Sequence, residues 1–355
     1  MTSLTVGLAI LGGSILAAVV AWNAWTTRRR TPRQARQDEA AAAEASEPVL
    51  ADAVAPAAAE LPAEAALDDA PLGLVPAPER RPGLDALIDV IAPIELDDGD
   101  RVSGEAAMAA LPPTRRVGSK PFAVEGLNED SGEWEPPRSG QRYTAFQAGV
   151  QLANRNGALN EIEFSEFVVK AQAFADAVGG SPDFPEMRDE VARARELDQF
   201  ASAHDAQLSF TLRATRAAWS PGYVQQHAAR LGFVPGVIPG RMVLPSPVPG
   251  APPILVLNFD TQAALAEDPT QSALYELTLS VDVPQVPRSE QPYVRMREAA
   301  AALGQSMEGA LTDDRGQPIR GEALDAIGAD LETLYDTLDA RDLSAGSPQA
   351  RRLFS

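Results

Sequence analysis

Between Leu208 and Arg213 apolar and polar residues alternate strictly, Leu208, Phe210 and Leu212 against Ser209, Thr211 and Arg213, and the same period of two returns at Leu277, Leu279, Val281 and Val283 against Thr278, Ser280 and Asp282. A period of two is that of a strand with one buried face. Between them "SPGYVQQHAARLGF" predicts a helix with Ser220 as N-cap, Pro221 in the first turn and Gly232 as its stop. "GRMVLP" and "PPILVLNF" read as two short strands, "EQPYVRMREAAAALGQ" as a helix closed by Gly304, and "GALTDDRGQPI" as a strand and turn. Leu324, Ile327, Leu331, Leu334 and Leu338 then form the apolar stripe of a long amphipathic helix. Every strand here has one polar side. The expected fold is therefore α+β, an antiparallel sheet with helices on one face, and its other face is left open as a binding surface.

A stretch upstream, 84–205, follows the same order less cleanly. "LDALIDVIAPIEL" reads as a strand, "VSGEAAMAAL" as a helix, "KPFAVEGLN" and "YTAFQAGVQLAN" as strands, and "EIEFSEFVVKAQAFADAVGG" as a helix stopped by Gly179-Gly180. "PEMRDEVARARELDQFASAH" corresponds to the final helix, with no strand legible before it. Ala86 and Gln207 open the two units, a spacing suited to duplicated domains. The alternative is an unrelated α+β domain. Residues 341–355, ending in "RRLFS", read as a solvated tail.

The run Leu4–Trp25 carries no charge and is long enough, as a helix, to cross the roughly 30 Å hydrocarbon layer of a bilayer. Trp22 and Trp25 fall at its end, followed by Arg28, Arg29, Arg30, Arg33 and Arg36, which marks that end as cytoplasmic. A secretory signal peptide is the competing reading, but its positive charge precedes the apolar stretch. Small residues at Ala9, Gly13, Ala17 and Ala21 would allow two such helices to self-associate. Residues 26–83 are the basic stop and then a disordered linker of Ala, Pro and Glu. Between Asp38 and Glu79 it holds ten acidic residues and neither Lys nor Arg. The formal net charge of -20 argues against nucleic acid as a partner, which leaves inner-membrane lipid to the arginine cluster alone.

Candidates for chemistry are few. The chain has no cysteine, and its two histidines, His204 and His227, fall on predicted helices of different units without metal-ligand spacing. No glycine-rich phosphate cradle occurs. The acidic pairs Asp97-Asp98 and Asp313-Asp314 stand beside glycines at expected turns, where aspartate is favoured for its own backbone hydrogen bonds. The residues therefore name no catalytic group, metal site or cofactor.

The order of elements in 207–340, with Val283-Pro284, the helix Pro292–Leu303 before Gly304, Asp313-Asp314 and the helix from Glu322, resembles the C-terminal domain of the ZipA family, bacterial division proteins anchored in the inner membrane. An amino-terminal span and an acidic Pro-rich leash are similar to the layout of that family. The resemblance implies that the chain is not an enzyme but an adaptor at the division septum, whose open sheet face receives the carboxy-terminal tail of FtsZ, the tubulin-like GTPase of the division ring. It places the contact at Ser209, Thr211, Arg241, Val243, Val256, Asn258, Thr278 and Ser280. The family's groove is markedly apolar, whereas only Val243 and Val256 are so here. Either the strand register is off by one, which would exchange the two faces, or the contact is more polar. An enzyme or small-ligand domain acting on the cell envelope, and a scaffold with another partner, are the rival readings.

Overall fold

The computed structural model describes residues 83–97, 99–266, 272–313 and 316–355. The run Leu4–Trp25 and the acidic stretch as far as residue 82 lie outside them. Among the described residues no helix is long and apolar enough to cross a membrane.

The first unit comprises β1 (Asp89–Leu96), β2 (Val102–Ser103), α1 (Gly104–Ala110), β3 (Arg116–Val117), β4 (Lys120–Asn128), β5 (Trp134–Glu135), β6 (Arg142–Gln151), the small hairpin β7 (Ala153–Asn154) and β8 (Gly157–Ala158), α2 (Glu161–Val178), β9 (Gly180–Pro182) and α3 (Met187–His204). Helix α2 starts where it does because the Asn160 side chain accepts from the Ile162 and Glu163 amides, while Glu163 accepts in return from the Asn160 amide. It stops at Gly179, whose φ of 71° suits a residue without a Cβ. Phe164, Phe167, Ala171 and Phe174 recur at helical spacing and are buried. Their rings meet those of the strands edge-on or tilted, Phe174 5.2 Å from Phe146 and Phe167 6.2 Å from Phe122.

The second unit comprises β10 (Gln207–Ala214), α4 (Pro221–Ala229), β11 (Val234–Pro235), β12 (Arg241–Leu244), β13 (Leu255–Asn258), α5 (Thr261–Ala264), β14 (Glu276–Asp282), α6 (Pro292–Met307), β15 (Gly309–Thr312), α7 (Gly321–Asp339) and α8 (Pro348–Leu353). Ser220 caps α4 through the Tyr223 amide, as its position before Pro221 predicts. Trp219 is fully buried, and its indole Nε1 donates to the Met307 carbonyl at 2.8 Å, so the largest core side chain also satisfies the end of α6. Gly304 does not close α6: the helix runs to Met307 and ends at Glu308, whose φ is 54°. At Gly304 the absent side chain serves packing instead. A Cβ there would stand 3.2 Å from the Gly309 carbonyl oxygen and 3.6 Å from Leu212.

Both sheets are mixed with helices and antiparallel throughout, and their strand orders correspond. The first runs β3-β4-β6-β1-β9, the second β11-β12-β13-β14-β10-β15. Apart from β11, each has a first strand followed by a helix, a fourth strand followed by a longer helix, a short edge strand beside the first strand, and a last helix. The strand illegible before α3 is β9. Its three residues, Gly-Ser-Pro, are too short for periodicity and pair with β1 through Ile94, Glu95 and Leu96.

The open faces differ. On the first sheet Leu84 lies across Gly149, where a Cβ would come within 2.5 Å of a Leu84 methyl. Beside it Glu125, only 4 % exposed, accepts from the Leu84 amide and from Gln147 Nε2. Among the described residues the second sheet carries a cleft at the corresponding place.

Residues 341–355 are not a solvated tail. Leu343, Ala350, Leu353 and Phe354 are buried, and α8 wedges between the Val283–Gln285 turn of one unit and β7 of the other. Gln285 Nε2 donates to the Arg351 and Phe354 carbonyls, Gln151 Nε2 to that of Arg352. Arg352 makes a two-pronged ion pair, 2.5 and 2.8 Å, with the fully buried Asp89. Burial pushes the Asp89 carboxyl above its ordinary range despite Arg352, which opposes the shift. The apolar residues of both units form one contiguous core.

Candidate functional site

Register decides which side chains share the open face. Across the second sheet Val234 pairs with Val243, Val243 with Val256, Val256 with Ser280, and Ser280 with Ser209. The next row runs Arg241, Asn258, Thr278, Thr211 and Thr312. Directly paired residues point to the same side of a sheet. All eight positions singled out in the sequence therefore lie on one face, Ser209 and Asn258 exposed and the other six half-buried. Phe210, Leu212, Met242, Leu255, Leu257, Leu277, Leu279 and Val281 are buried on the opposite side, and the register is not shifted by one. The face is also more apolar than the eight positions suggest. Val234, 45 % exposed, extends Val243 and Val256 into a strip of three valines.

A cleft of about 640 Å³ crosses this face, floored by Ser209, Val256, Asn258 and Ser280 and reached by Arg241. Pro252, Pro253 and Ile254, leading into β13, form one wall. The opposite end is built by residues from outside the sheet: Arg155 of the β7–β8 hairpin, Gln285, Phe354 and Ser355. Arg155 clasps the two units, bonding Asp205 at 2.6 and 2.8 Å and Asp282 with two contacts of 2.8 Å. Hydrogen bonds from its guanidinium, to Asp205 first and Asp282 second, hold it protonated even more firmly than usual. Further along the face Arg213 pairs with Glu276 at 3.4 Å. Arg241 has no ion-pair partner among the described residues.

Sequence reasoning missed Val234 because a two-residue strand carries no period. It missed Arg155 and the terminal residues because their place depends on how the two units meet. One signal was present: the dipeptide Asn156-Gly157 marks a turn, and it follows Arg155 in the β7–β8 connection, with Gly157, φ 110°, opening β8 opposite Asn154.

The remaining candidates sit elsewhere. His204 lies on α3 with Nδ1 2.7 Å from the Phe200 carbonyl oxygen, and His227 on α4 with Nδ1 3.1 Å from Ser306 Oγ. Asp97 and Asp313 each accept a backbone amide in a turn, from Asp100 and Gln317 respectively, while Asp98 and Asp314 lie outside the described residues. Among the described residues no group of three or more His, Asp or Glu side chains is arranged to hold a metal ion.

Compared with known protein families and with characterised proteins, the chain matches none.

Proposed function

We propose that this chain is a membrane-anchored adaptor of the ZipA kind, which holds an extended peptide, the carboxy-terminal tail of FtsZ, on the open face of its second sheet at the cytoplasmic side of the inner membrane. One observation carries the reading. Eight positions chosen from the sequence share one sheet face, five of them, Ser209, Arg241, Val256, Asn258 and Ser280, line a cleft across it, and that face joins a valine strip to hydroxyl and amide side chains able to meet a peptide backbone. On the first sheet Leu84 lies across Gly149, and the hollow beside β4 is smaller, about 240 Å³, and walled by Pro112, Pro136 and Pro137.

The test is a titration of the full chain with the labelled FtsZ tail peptide of the same organism. An isolated 207–355 fragment is the wrong reagent, because it lacks both Arg155 and Asp89 and so strips the packing from Leu353 and Phe354. The parent should bind in the micromolar range. Val243→Glu and Thr278→Lys should each weaken binding by about thirtyfold or more, equivalent to about 2 kcal/mol. No binding by the parent at high micromolar concentration, or unchanged binding by both variants, would overturn the reading.

A further inference from the structure

The cleft is electrically lopsided, and its two ends are set by different parts of the fold. At one end stands Arg241, half-buried and without a carboxylate partner among the described residues. At the other stands the Arg155 clasp, where Asp205 and Asp282 supply two carboxylates to one guanidinium. Asp282, on the same face as Ser280 and Thr278, turns the surplus negative charge toward the cleft, which it lines.

Arg241 shares a row with Thr278, two strands away, and Asp282 lies four residues beyond Thr278 along β14. With strands about 4.8 Å apart and about 3.3 Å per residue along each, the two ends are roughly 16 Å apart, a span that two long side chains four residues apart on one face of an extended chain, ~13 Å between their Cα atoms, can bridge. The line joining them passes over Val256, with Val243 on one side of it and Ser280 on the other.

We propose that the cleft selects a bipolar extended segment whose inward side chains are a carboxylate on Arg241, a β-branched or aliphatic side chain two positions on over Val256, beside Val243, and a cationic side chain four positions on beside Asp282. This deepens the peptide-binding reading above and rests on it. Charge complementarity then fixes which way round the segment lies. A segment with like charges at both ends satisfies only one of the two poles, and opposes the other at a cost that like-charge contacts make severe.

The probes are three acetylated, amidated pentapeptides titrated against the fluorescently labelled full chain, Glu-Thr-Val-Thr-Lys, Lys-Thr-Val-Thr-Lys and Glu-Thr-Val-Thr-Glu, in which both charges and the valine share one face of the extended chain. The first should bind at least about tenfold more tightly than either of the others, a difference that raised salt should shrink. In the Arg241→Glu chain the preference should invert, the Lys-Lys peptide binding better than Glu-Lys, while an unchanged melting temperature shows that the fold is kept. Equal binding of the three peptides by the parent, no inversion in Arg241→Glu, or no binding of any probe would each overturn the proposal. If the FtsZ tail binds while the probes show no charge order, the bipolar selection fails and the adaptor reading stands. If the probes obey the charge order while the FtsZ tail does not bind, the adaptor reading fails and the chemistry of the cleft stands.

Discussion

Replacing Arg352 by alanine tests whether α8 holds the two units together. Asp89 is fully buried on β1 and, among the described residues, Arg352 is the only guanidinium on its carboxylate, that of Arg193 bonding the backbone carbonyl, so the substitution leaves a carboxylate stranded in the core. Asp89 keeps a bond from the Asp85 amide at 2.8 Å, and the Arg352 side chain is 20 % exposed. Breaking a buried pair by removing one member costs about 3–5 kcal/mol, and these two features place this case near about 3 kcal/mol. For a body of this size that is a fall in Tm of about 6–12 °C, measurable by differential scanning calorimetry at pH 7.

The pH dependence sharpens the test. Burial raises the folded-state pKa of Asp89 above the unfolded value of about 3.9, so the folded state binds the proton more tightly. Its ionisation then costs stability as pH rises through the raised value, and the cost is absent once pH falls below about 4. Without Arg352 the folded value rises further. The gap between parent and variant should therefore be widest at pH 7 and close toward pH 4. Adding Asp89→Asn to Arg352→Ala removes the stranded charge and should recover more than half of the loss at pH 7. A fall of under about 2 °C at pH 7, a gap independent of pH, or no recovery in the double variant would refute the account.

Three further outcomes are expected. Leu279→Ala, at a side chain 2 % exposed behind the open face, should cost about 2–5 kcal/mol in chemical denaturation, whereas Val243→Glu on the opposite face should stay within about 0.5 kcal/mol of the parent. Gly126→Ala would drive a Cβ to 2.4 Å from the Tyr143 ring and should destabilise the first unit by about 1–3 kcal/mol, read as loss of its cooperative unfolding. Truncation after Ser347 removes Leu353 and Phe354, and hydrogen exchange should rise in the segments α8 packs against or bonds, β7, the Val283–Gln285 turn and Gly83–Asp89, and stay unchanged in β12 and β13.

Periodic elements were legible and contact-dependent ones were not. β4, α2, β10 and β14 were each visible because a buried face imposes its period on at least seven residues. That period also proposed which side of the second sheet faces outward, and the strand pairing and burial decided it. β9, β11 and the β7–β8 hairpin are two or three residues long, held by neighbours rather than by pattern. "RRLFS" failed for a different reason. A terminal arginine pair reads as solvated, and only the fold places Arg352 against Asp89, 263 positions away in the chain. The same holds for the cleft: its floor is local in sequence, while its end wall comes from Arg155 and Phe354, which no spacing connects to it.

The segment Gly83–Asp89 and helix α8 are tied side by side. Arg352 donates to the Gly83 carbonyl and to Asp89, and Gln349 donates to Asp85. Mechanically, this arrangement is a strain relief. A pull arriving along the chain ahead of Gly83 is borne in parallel by these bonds and by Leu84 against Gly149, and it passes into α8 and the shared core. The open strands β12 and β13 lie at the far side of the second sheet, off that line of force. A load arriving from that side would thus fall on the most deeply buried part of the molecule, while the strands of the open face keep their register.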